Sequence, residues 1–322
     1  MNPGSVCSTK NRMNKTTRLA SPHTSNAPVA RRGFLSGVAR WATFAAAGLA
    51  SLAPRKALTA AGAEADLPSE SKRPQTDSAA LTPQLSPAVQ MQFMRPGQLE
   101  AAARRFPVVY VPFGLIEWHG RHLPLGNDAL KAHAVLVKCA ELVGGVVYPP
   151  VYFHDGFDQA HLVPVLTDVF QRLKRSGFRV ILGVSGHNVK GQITMIEAAL
   201  KPVLADGSVA GAGLWEITLS QGPESNTDHA AKWETSNMMF VYPDLVDLSA
   251  LGTGPLAPNM KAPDGIGGQD PRQHASAGVG QRNIKLAAEA IGRKARELLN
   301  SLPPDQRQFR LKAVSPEHWW MV

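Results

Sequence analysis

The chain is poor in cysteine, with only Cys7 and Cys139 among its 322 residues. Cys7 lies in a basic N-terminal region that we interpret below as a signal peptide, so the mature protein would keep Cys139 alone. One cysteine forms no internal disulfide and builds no zinc ribbon. Cys139 also follows a helical pattern with Leu136 and Leu142, which is typical of a small buried apolar residue. The sequence therefore excludes a cysteine-based metal site or nucleophile.

The body of the chain also lacks clusters of basic residues. The formal net charge is +9, but residues 1–65 hold nine of the Lys and Arg residues and a single Glu, which leaves the rest close to neutral. Proteins that bind DNA or RNA neutralise backbone phosphates with clustered Lys and Arg side chains. We therefore expect no nucleic-acid partner.

The N-terminal region lacks the apolar run of about 20 residues that a transmembrane helix needs. Its Ala-rich stretch over 41–54 is shorter and contains Gly and Ser, and it follows the twin-arginine signature RRGFL at 31–35. Small residues around Ala63 offer cleavage sites. We predict that residues 1–65 are a twin-arginine signal peptide with a long n-region, recognised by the twin-arginine export machinery, and that the mature protein is periplasmic or exported. The alternatives are an uncleaved amphipathic or disordered N-terminus and a misjudged start codon.

The rest of the chain divides by composition. Residues 66–90 are rich in Ser, Pro, Gln and Thr, which is typical of a disordered linker. We predict one folded domain over 91–302 and a C-terminal tail over 303–322. Within the domain we predict strands over 107–113, 146–153, 178–184 and 213–219, and helices over 128–142, 161–174, 192–204 and about 276–302. This alternation predicts an α/β fold with a mostly parallel sheet covered by helices on both faces.

The first candidate site follows the predicted strand over 107–113. It contains Glu117, His119 and, on a glycine-containing loop, Asp128. Catalytic side chains of parallel α/β sheets lie just past the carboxyl ends of strands, and Glu117 and His119 would point to one side of an extended chain. Carboxylates and an imidazole that converge there would bind a divalent metal. The alternative is a polar loop with ordinary surface charges.

Two later stretches repeat this placement. Ser185-Gly186-His187-Asn188 follows the strand over 178–184, where His187 either joins the site or caps the next helix. The third stretch runs from Asp228 and His229 to Glu234. If the chain becomes helical after His229, the Glu234 carboxylate returns to the same end of the sheet; the alternative is a helix cap formed by the residues that follow Glu234.

Together, the three stretches resemble the creatininase family, also called creatinine amidohydrolase. The matching residues are Gly114, Glu117, His119, Gly120, His122, Leu123, Pro124, Leu125 and Asp128 in the first stretch, Gly186 and His187 in the second, and His229, Ala230, Glu234, Thr235 and Ser236 in the third. A weaker match is Gly267-Gly268-Gln269-Asp270-Pro271. The resemblance spans about residues 95–300.

The resemblance implies a three-layer α/β/α sandwich with a two-metal site. One divalent ion would be bound by Glu117, Asp128 and His187, and the other by His119, Asp128 and Glu234, with Asp128 bridging. Two ions would share a hydroxide and polarise a carbonyl oxygen. Mixed carboxylate and imidazole ligands suit Zn, Mn or Fe.

The implied activity is metal-dependent amide hydrolysis of non-peptide or cyclic C–N bonds. The shared hydroxide would attack the carbonyl of a small-molecule substrate, which we expect to be a cyclic amide, a formamide or a small amide. The resemblance places the catalytic residues at His229, which would pass a proton to the leaving nitrogen, and at the metal ligand Glu234. His122 would orient the loop that carries the ligands. A homo-oligomer, often a hexamer, is also implied.

Two departures from creatininase itself bear on the substrate. Val189 stands where creatininase carries a metal-binding Glu, and the residues over 225–227 include no Trp to close over creatinine. The departures favour a different cyclic amide, formamide or small peptide. They also leave open a degenerate, non-catalytic protein that binds metal or ligand. A periplasmic solute-binding protein is a further alternative, although about 210 folded residues barely accommodate two lobes.

Overall fold

The computed structural model describes residues 85–154, 156–217, 227–257 and 264–310. The predicted signal peptide, most of the predicted linker and the end of the C-terminal tail therefore lie outside the described residues. Among the helices that are described, none combines the length and the apolar character needed to cross a membrane.

In the part of the chain that the structure describes, five parallel strands form one sheet. They are β1 (Val108–Ile116), β2 (Val146–Val147), β3 (Val151–His154), β4 (Val180–Ser185) and β5 (Ala210–Trp215). β1 pairs with β4 on one side, and β4 pairs with β5. On its other side, β1 pairs first with β2 and then with β3. β1 therefore lies inside the sheet, which explains its uninterrupted apolar sequence.

Helices connect the strands and cover both faces of the sheet. They are α1 (Pro96–Arg105), α2 (Asn127–Val143), α3 (Gln159–Arg175), α4 (Lys190–Leu204), α5 (Lys232–Val241), α6 (Pro271–His274) and α7 (Ala277–Ser301). α2, α5 and α7 pack together on one face, while α3 and α4 pack together on the other. The predicted α/β class with a mostly parallel sheet between helices is confirmed.

Each face of the sheet has its own apolar core, and alternate side chains of each strand contribute to one core or the other. In β1, Val108 and Tyr110 join the core under α2, α5 and α7, whereas Val109 and Val111 join the core under α3 and α4. All four side chains are fully buried. Successive side chains of a strand point to opposite faces, so a strand that is covered on both faces must be apolar throughout.

Several boundaries differ from the sequence predictions. The single strand predicted over 146–153 is divided into β2 and β3, since Pro149 and Pro150 lie between them and proline donates no ladder hydrogen bond. β5 begins at Ala210 rather than 213, because its glycines and alanines carry little apolar signal. Order also extends beyond both predicted domain limits.

Side chains outside the predicted limits pack onto the fold. Leu85 is buried, and Gln90 forms a β-bridge with Val147, so the folded part begins before residue 91. At the other end, the ring of Phe309 packs edge-on against Phe178 with centroids 5.8 Å apart. Both additions extend the core near the amino end of the sheet.

Candidate metal centre

Four elements bring the predicted ligands to the carboxyl end of the sheet. Glu117 and His119 follow β1, His187 follows β4, Asp128 lies in the first turn of α2, and Glu234 lies in the first turn of α5. β1 and β4 pair in register up to Phe113 and Ser185, so both chains leave the sheet side by side. The structure therefore brings all five predicted ligands together.

The approach of α2 to the strand ends depends on two glycines. A Cβ atom at position 186 would lie 2.0 Å from the carbonyl oxygen of Asp128, and one at Gly114 would lie 2.1 Å from the amide nitrogen of Ala129. Neither distance is sterically possible for a larger residue. These glycines therefore allow the backbone of α2 to pack directly on the ends of β1 and β4, which places Asp128 between them.

Asp128 is at the centre of the cluster and is fully buried. Its Oδ1 atom is 3.1 Å from Nε2 of His119, while its Oδ2 atom is 3.2 Å from Nδ1 of His187. The backbone N–H of Leu115 also donates to Oδ2, at 3.3 Å. The two oxygens of one carboxylate therefore face two different imidazoles.

Two groups of ligand atoms share Asp128. In the first, Glu117 and His187 join it, with 3.3 Å between Glu117 Oε1 and His187 Nδ1. In the second, His119 and Glu234 join it, with 3.5 Å between His119 Nε2 and Glu234 Oε2. Within each group, all ligand atoms lie within 4.8 Å of one another. Glu117, His119 and His229 form a third group by the same measure.

The pKa values of the cluster favour protons on its imidazoles. Burial lowers the pKa of His187, but its hydrogen bonds to Asp128 and Glu117 raise it more, to about 10. Burial would raise the pKa of Asp128, yet hydrogen bonds from His119 and His187 hold it well below its usual range. Imidazolium ions therefore balance the carboxylates, and a bound cation would replace those protons.

The donor set fits divalent metal. Carboxylate oxygens and imidazole nitrogens are ligands of Zn, Mn and Fe, and here they converge from separate elements in a largely buried site. Three carboxylates in so small a volume need positive charge nearby, which two divalent ions would supply.

His229 borders the cluster and has a defined orientation. Its Nε2 atom is 3.0 Å from the carbonyl oxygen of Trp118, and its ring centroid is 4.6 Å from that of His119. Two backbone hydrogen bonds, one in each direction, connect His229 to Gly267. Gly267 begins the stretch over 267–271, the weaker of the sequence matches described above. The Nδ1 atom of His229 faces Glu117 Oε1 at 3.8 Å.

His122 lies outside the three ligand groups. Its ring contacts Thr235 Oγ1 at 2.8 Å, next to Glu234 in α5. Burial lowers the pKa of His122 to about 4, so the ring is neutral at pH 7. This contact ties the loop after β1 to α5, as the predicted orienting role requires.

Sequence reasoning missed Lys131 and Glu216. Both side chains are almost completely buried, and Lys131 Nζ lies 3.0 Å from Glu216 Oε1 and donates a hydrogen bond to Glu234 Oε1. Burial lowers the pKa of Lys131, but the charges of Glu216 and Glu234 raise it above its usual value. One signal was available: Lys131 is three residues after Asp128, so both side chains lie on one face of α2.

Comparison with known proteins identifies the class to which this fold and site belong. The model of the Creatininase family (creatinine amidohydrolase) matches residues 92–300, so the chain belongs to the creatininase family.

Relatives with named activities are of two kinds. Creatinine amidohydrolase from Pseudomonas putida is 26% identical, with 47% of this chain and 70% of that protein aligned. A mycofactocin precursor peptide peptidase from Mycolicibacterium smegmatis is 32% identical, with 47% and 65% aligned. The names describe one hydrolase that acts on creatinine and one that acts on a precursor peptide.

Solved structures agree on the fold. A creatinine amidohydrolase structure is matched with a TM-score of 0.55 at 22% identity, covering 68% of this chain and all of that one. A structure described as a putative creatinine amidohydrolase from Bacteroides fragilis is matched at 0.54 and 25% identity, covering 71% and 100%. Other matched structures are described as Zn-Zn type and as creatininase Mn.

These comparisons confirm the predicted family, fold and hydrolase class. The predicted restriction to non-peptide or cyclic C–N bonds stays a prediction, because one of the two named activities is peptide hydrolysis. The individual roles of the site residues also stay predictions.

Proposed function

We propose that the protein is a binuclear, metal-dependent amidohydrolase that cleaves a cyclic amide, a formamide or a short amide or peptide bond. The observation that carries this proposal is the position of Asp128, whose two oxygens face two separate groups of ligand atoms. A carboxylate with this geometry can bridge two cations. The donor types and their burial support divalent Zn, Mn or Fe.

Glu117, Asp128 and His187 would hold one metal, and His119, Asp128 and Glu234 the other. When bound, two such ions lower the pKa of a shared water and polarise the substrate carbonyl. The protein fixes the positions of the ligands: Leu115 N–H holds Asp128 Oδ2, and Ala230 N–H donates to Glu234 Oε2 at 2.8 Å.

His229 would move the proton to the leaving nitrogen. A carbonyl oxygen only accepts hydrogen bonds, so the contact with Trp118 requires a proton on His229 Nε2. In the neutral ring, Nδ1 is then the acceptor, and it is the atom that faces Glu117. The fixed tautomer directs the basic nitrogen toward the candidate metal centre, as a general base and acid needs.

The mouth of the site carries exposed aromatic side chains. Trp118 is 45% exposed; its carbonyl contacts His229, and its ring lies against Gly265. Tyr152 is 39% exposed, and its ring lies against Gly126, just before α2. The exposed segment 156–161 is linked to the first turn of α4 by a hydrogen bond from Gln159 to the Gly191 carbonyl. Exposed aromatic rings can stack on a planar ring or pack against an apolar peptide side chain, and they do not favour creatinine in particular.

We also propose that the enzyme is exported by the twin-arginine pathway to the periplasm and acts there as a homo-oligomer. The twin-arginine signature at 31–35 supports export. The pathway suits a metalloenzyme, because it transports folded proteins whose metal site can be filled before export. Sequencing the N-terminus of protein recovered from the periplasm tests the cleavage site near Ala63. Recovery of only full-length chain from the cytoplasm would contradict it.

Elemental analysis of protein purified without chelator is the main test. We expect two equivalents of Zn, Mn or Fe per chain, together with hydrolysis of at least one member of a panel of lactams, formamides and short peptides. No bound metal, even after reconstitution, would overturn the proposal.

A degenerate, non-catalytic protein is the second candidate. Val189, in the place of a creatininase metal ligand, is 50% exposed and offers no ligand atom, so the second metal relies on Glu234. A protein with bound metal but without turnover of any amide in the panel would favour this alternative.

A further inference from the structure

A buried ammonium group lies beside the candidate metal centre. Lys131 is 1% exposed, and it projects from α2 one turn after Asp128. Its Nζ atom contacts two carboxylates, Glu216 Oε1 at 3.0 Å and Glu234 Oε1. Glu216 follows β5, and its side chain is as deeply buried as that of Lys131. Three elements therefore contribute to one buried ion-pair network.

The two oxygens of Glu234 have different partners. Oε1 accepts a hydrogen bond from Lys131, whereas Oε2 accepts the N–H of Ala230 at 2.8 Å and lies 3.5 Å from Nε2 of His119. Only Oε2 is therefore turned toward the group formed with His119 and Asp128. A carboxylate can bind a metal through one oxygen or both, and here one oxygen is already occupied by an ammonium ion.

We propose that Lys131, anchored by Glu216, is a positioning residue that restricts Glu234 to metal binding through Oε2 alone. This inference rests on the proposed function. Its physical reason is that a buried ammonium leaves an ion pair only at a large desolvation cost. Oε1 therefore stays hydrogen-bonded to Lys131. A metal bound through Oε2 alone would have one more open coordination position for water or substrate than a metal bound through both oxygens.

The proposal predicts what removing the ammonium does. In Lys131→Met, Oε1 of Glu234 is released and can chelate the metal together with Oε2. The metal would then be held with one more ligand and with one less open position. We expect unchanged metal content, a lower kcat with a smaller change in KM, and a change in coordination that spectroscopy detects.

Co²⁺ is a suitable probe, because its visible absorption weakens as its coordination number rises. The experiment loads wild-type protein, Lys131→Met and Lys131→Arg with Co²⁺ and records metal content and visible spectra. We expect Lys131→Met to lose absorption intensity at constant cobalt content. Lys131→Arg keeps a cation at the site and should restore the wild-type spectrum at least in part.

Lys138→Met is a matched control. It removes a lysine from the same helix, two turns further along, where Lys138 pairs with Glu141 at 3.0 Å near the surface. Its spectrum should equal that of the wild type. If Lys131→Met does not fold, Glu216→Gln removes only the anchor and should shift the spectrum in the same direction by a smaller amount.

The outcomes separate this inference from the proposed function. Wild-type protein that binds no Co²⁺ would overturn both. Wild-type protein that binds two Co²⁺ ions, with an identical spectrum in Lys131→Met or, failing that, in Glu216→Gln, would overturn the role of Lys131 alone.

Discussion

The two helical layers on either side of the sheet are built from different residues. In the layer of α2, α5 and α7, the buried side chains include many polar and charged groups: Asn127, Asp128, Lys131, His133, Glu234, Thr235, Ser236, Asn237 and Asn283. In the layer of α1, α3 and α4, every buried side chain except Gln192 is apolar. We call the layer of α2, α5 and α7 the polar layer, because its apolar core also contains these polar groups, and the layer of α1, α3 and α4 the apolar layer.

The difference shows how a small domain can carry a buried charged site. Buried charges cost free energy unless they are paired, and a polar network that loses one member loses more than one contact. The apolar layer gains free energy from burial alone, at about 25 cal/mol per Å² of apolar surface. We infer that both layers gain stability from apolar burial, while the layer of α2, α5 and α7 also carries the charged site.

The substitution with the largest expected effect breaks the polar layer at its centre. Asp128→Asn removes the charge that both ligand groups share, so we expect loss of both metals and a fall in activity of roughly 10⁴-fold. Metal content measured by elemental analysis checks this result. Asp168→Asn, which alters an exposed aspartate paired with Arg172 in the apolar layer, is the matched control. Full metal content in Asp128→Asn would refute the bridging assignment.

A second substitution separates proton transfer from metal binding within the polar layer. His229→Ala should keep both metals, because His229 belongs to neither of the two proposed ligand sets, and it should lower kcat by about 10²- to 10⁴-fold. Metal analysis and steady-state kinetics on the same preparation test this. Unchanged turnover would remove His229 from the mechanism, and loss of metal would favour the group that it forms with Glu117 and His119.

The third substitution breaks the apolar layer. Phe170 is fully buried in α3 and packs edge-on against Phe113, with ring centroids 6.2 Å apart. Phe170→Ala should lower the free energy of unfolding by about 3–5 kcal/mol, because it leaves a cavity. Urea unfolding measures this change. The folded fraction should keep its metal content; a proportional loss of metal would contradict the separation of the two layers.

The smallest predicted effect is a pH dependence of folding stability, which we expect from a buried histidine of the polar layer, His133 in α2. Burial lowers the pKa of His133 to about 4, below the value near 6.5 in an unfolded chain. The neutral ring therefore contributes stability that is fully present above pH 6.5 and is lost as the pH falls toward 4. Between pH 7 and pH 4.5, this residue should account for about 2–3 kcal/mol of lost stability.

His133→Gln tests this prediction, because glutamine does not titrate. Urea unfolding of the metal-free wild type and variant at both pH values gives the free energy of unfolding lost on acidification by each protein. The variant should lose less. Equal losses in both proteins would show that other groups carry the acid sensitivity.

Much of the fold could be predicted from local pattern. β1 and β4 are continuous apolar runs, and α2, α3, α4 and α7 show helical spacing, so their positions follow from the sequence within a few residues. β5 and the division between β2 and β3 were placed less well, since glycine, alanine and proline carry weaker signals. Glu117, His119 and His187 could be placed at the site because strand ends determine where they lie.

The sequence by itself determined the class of fold, the family and the residues that gather at the carboxyl end of the sheet. Only the tertiary structure decided which atoms meet: that the two oxygens of Asp128 face different histidines, and that Lys131 occupies one oxygen of Glu234. The physical reason is separation along the chain. Lys131 and Glu234 are 103 residues apart, and no local pattern encodes the packing of α2 against α5 that joins them.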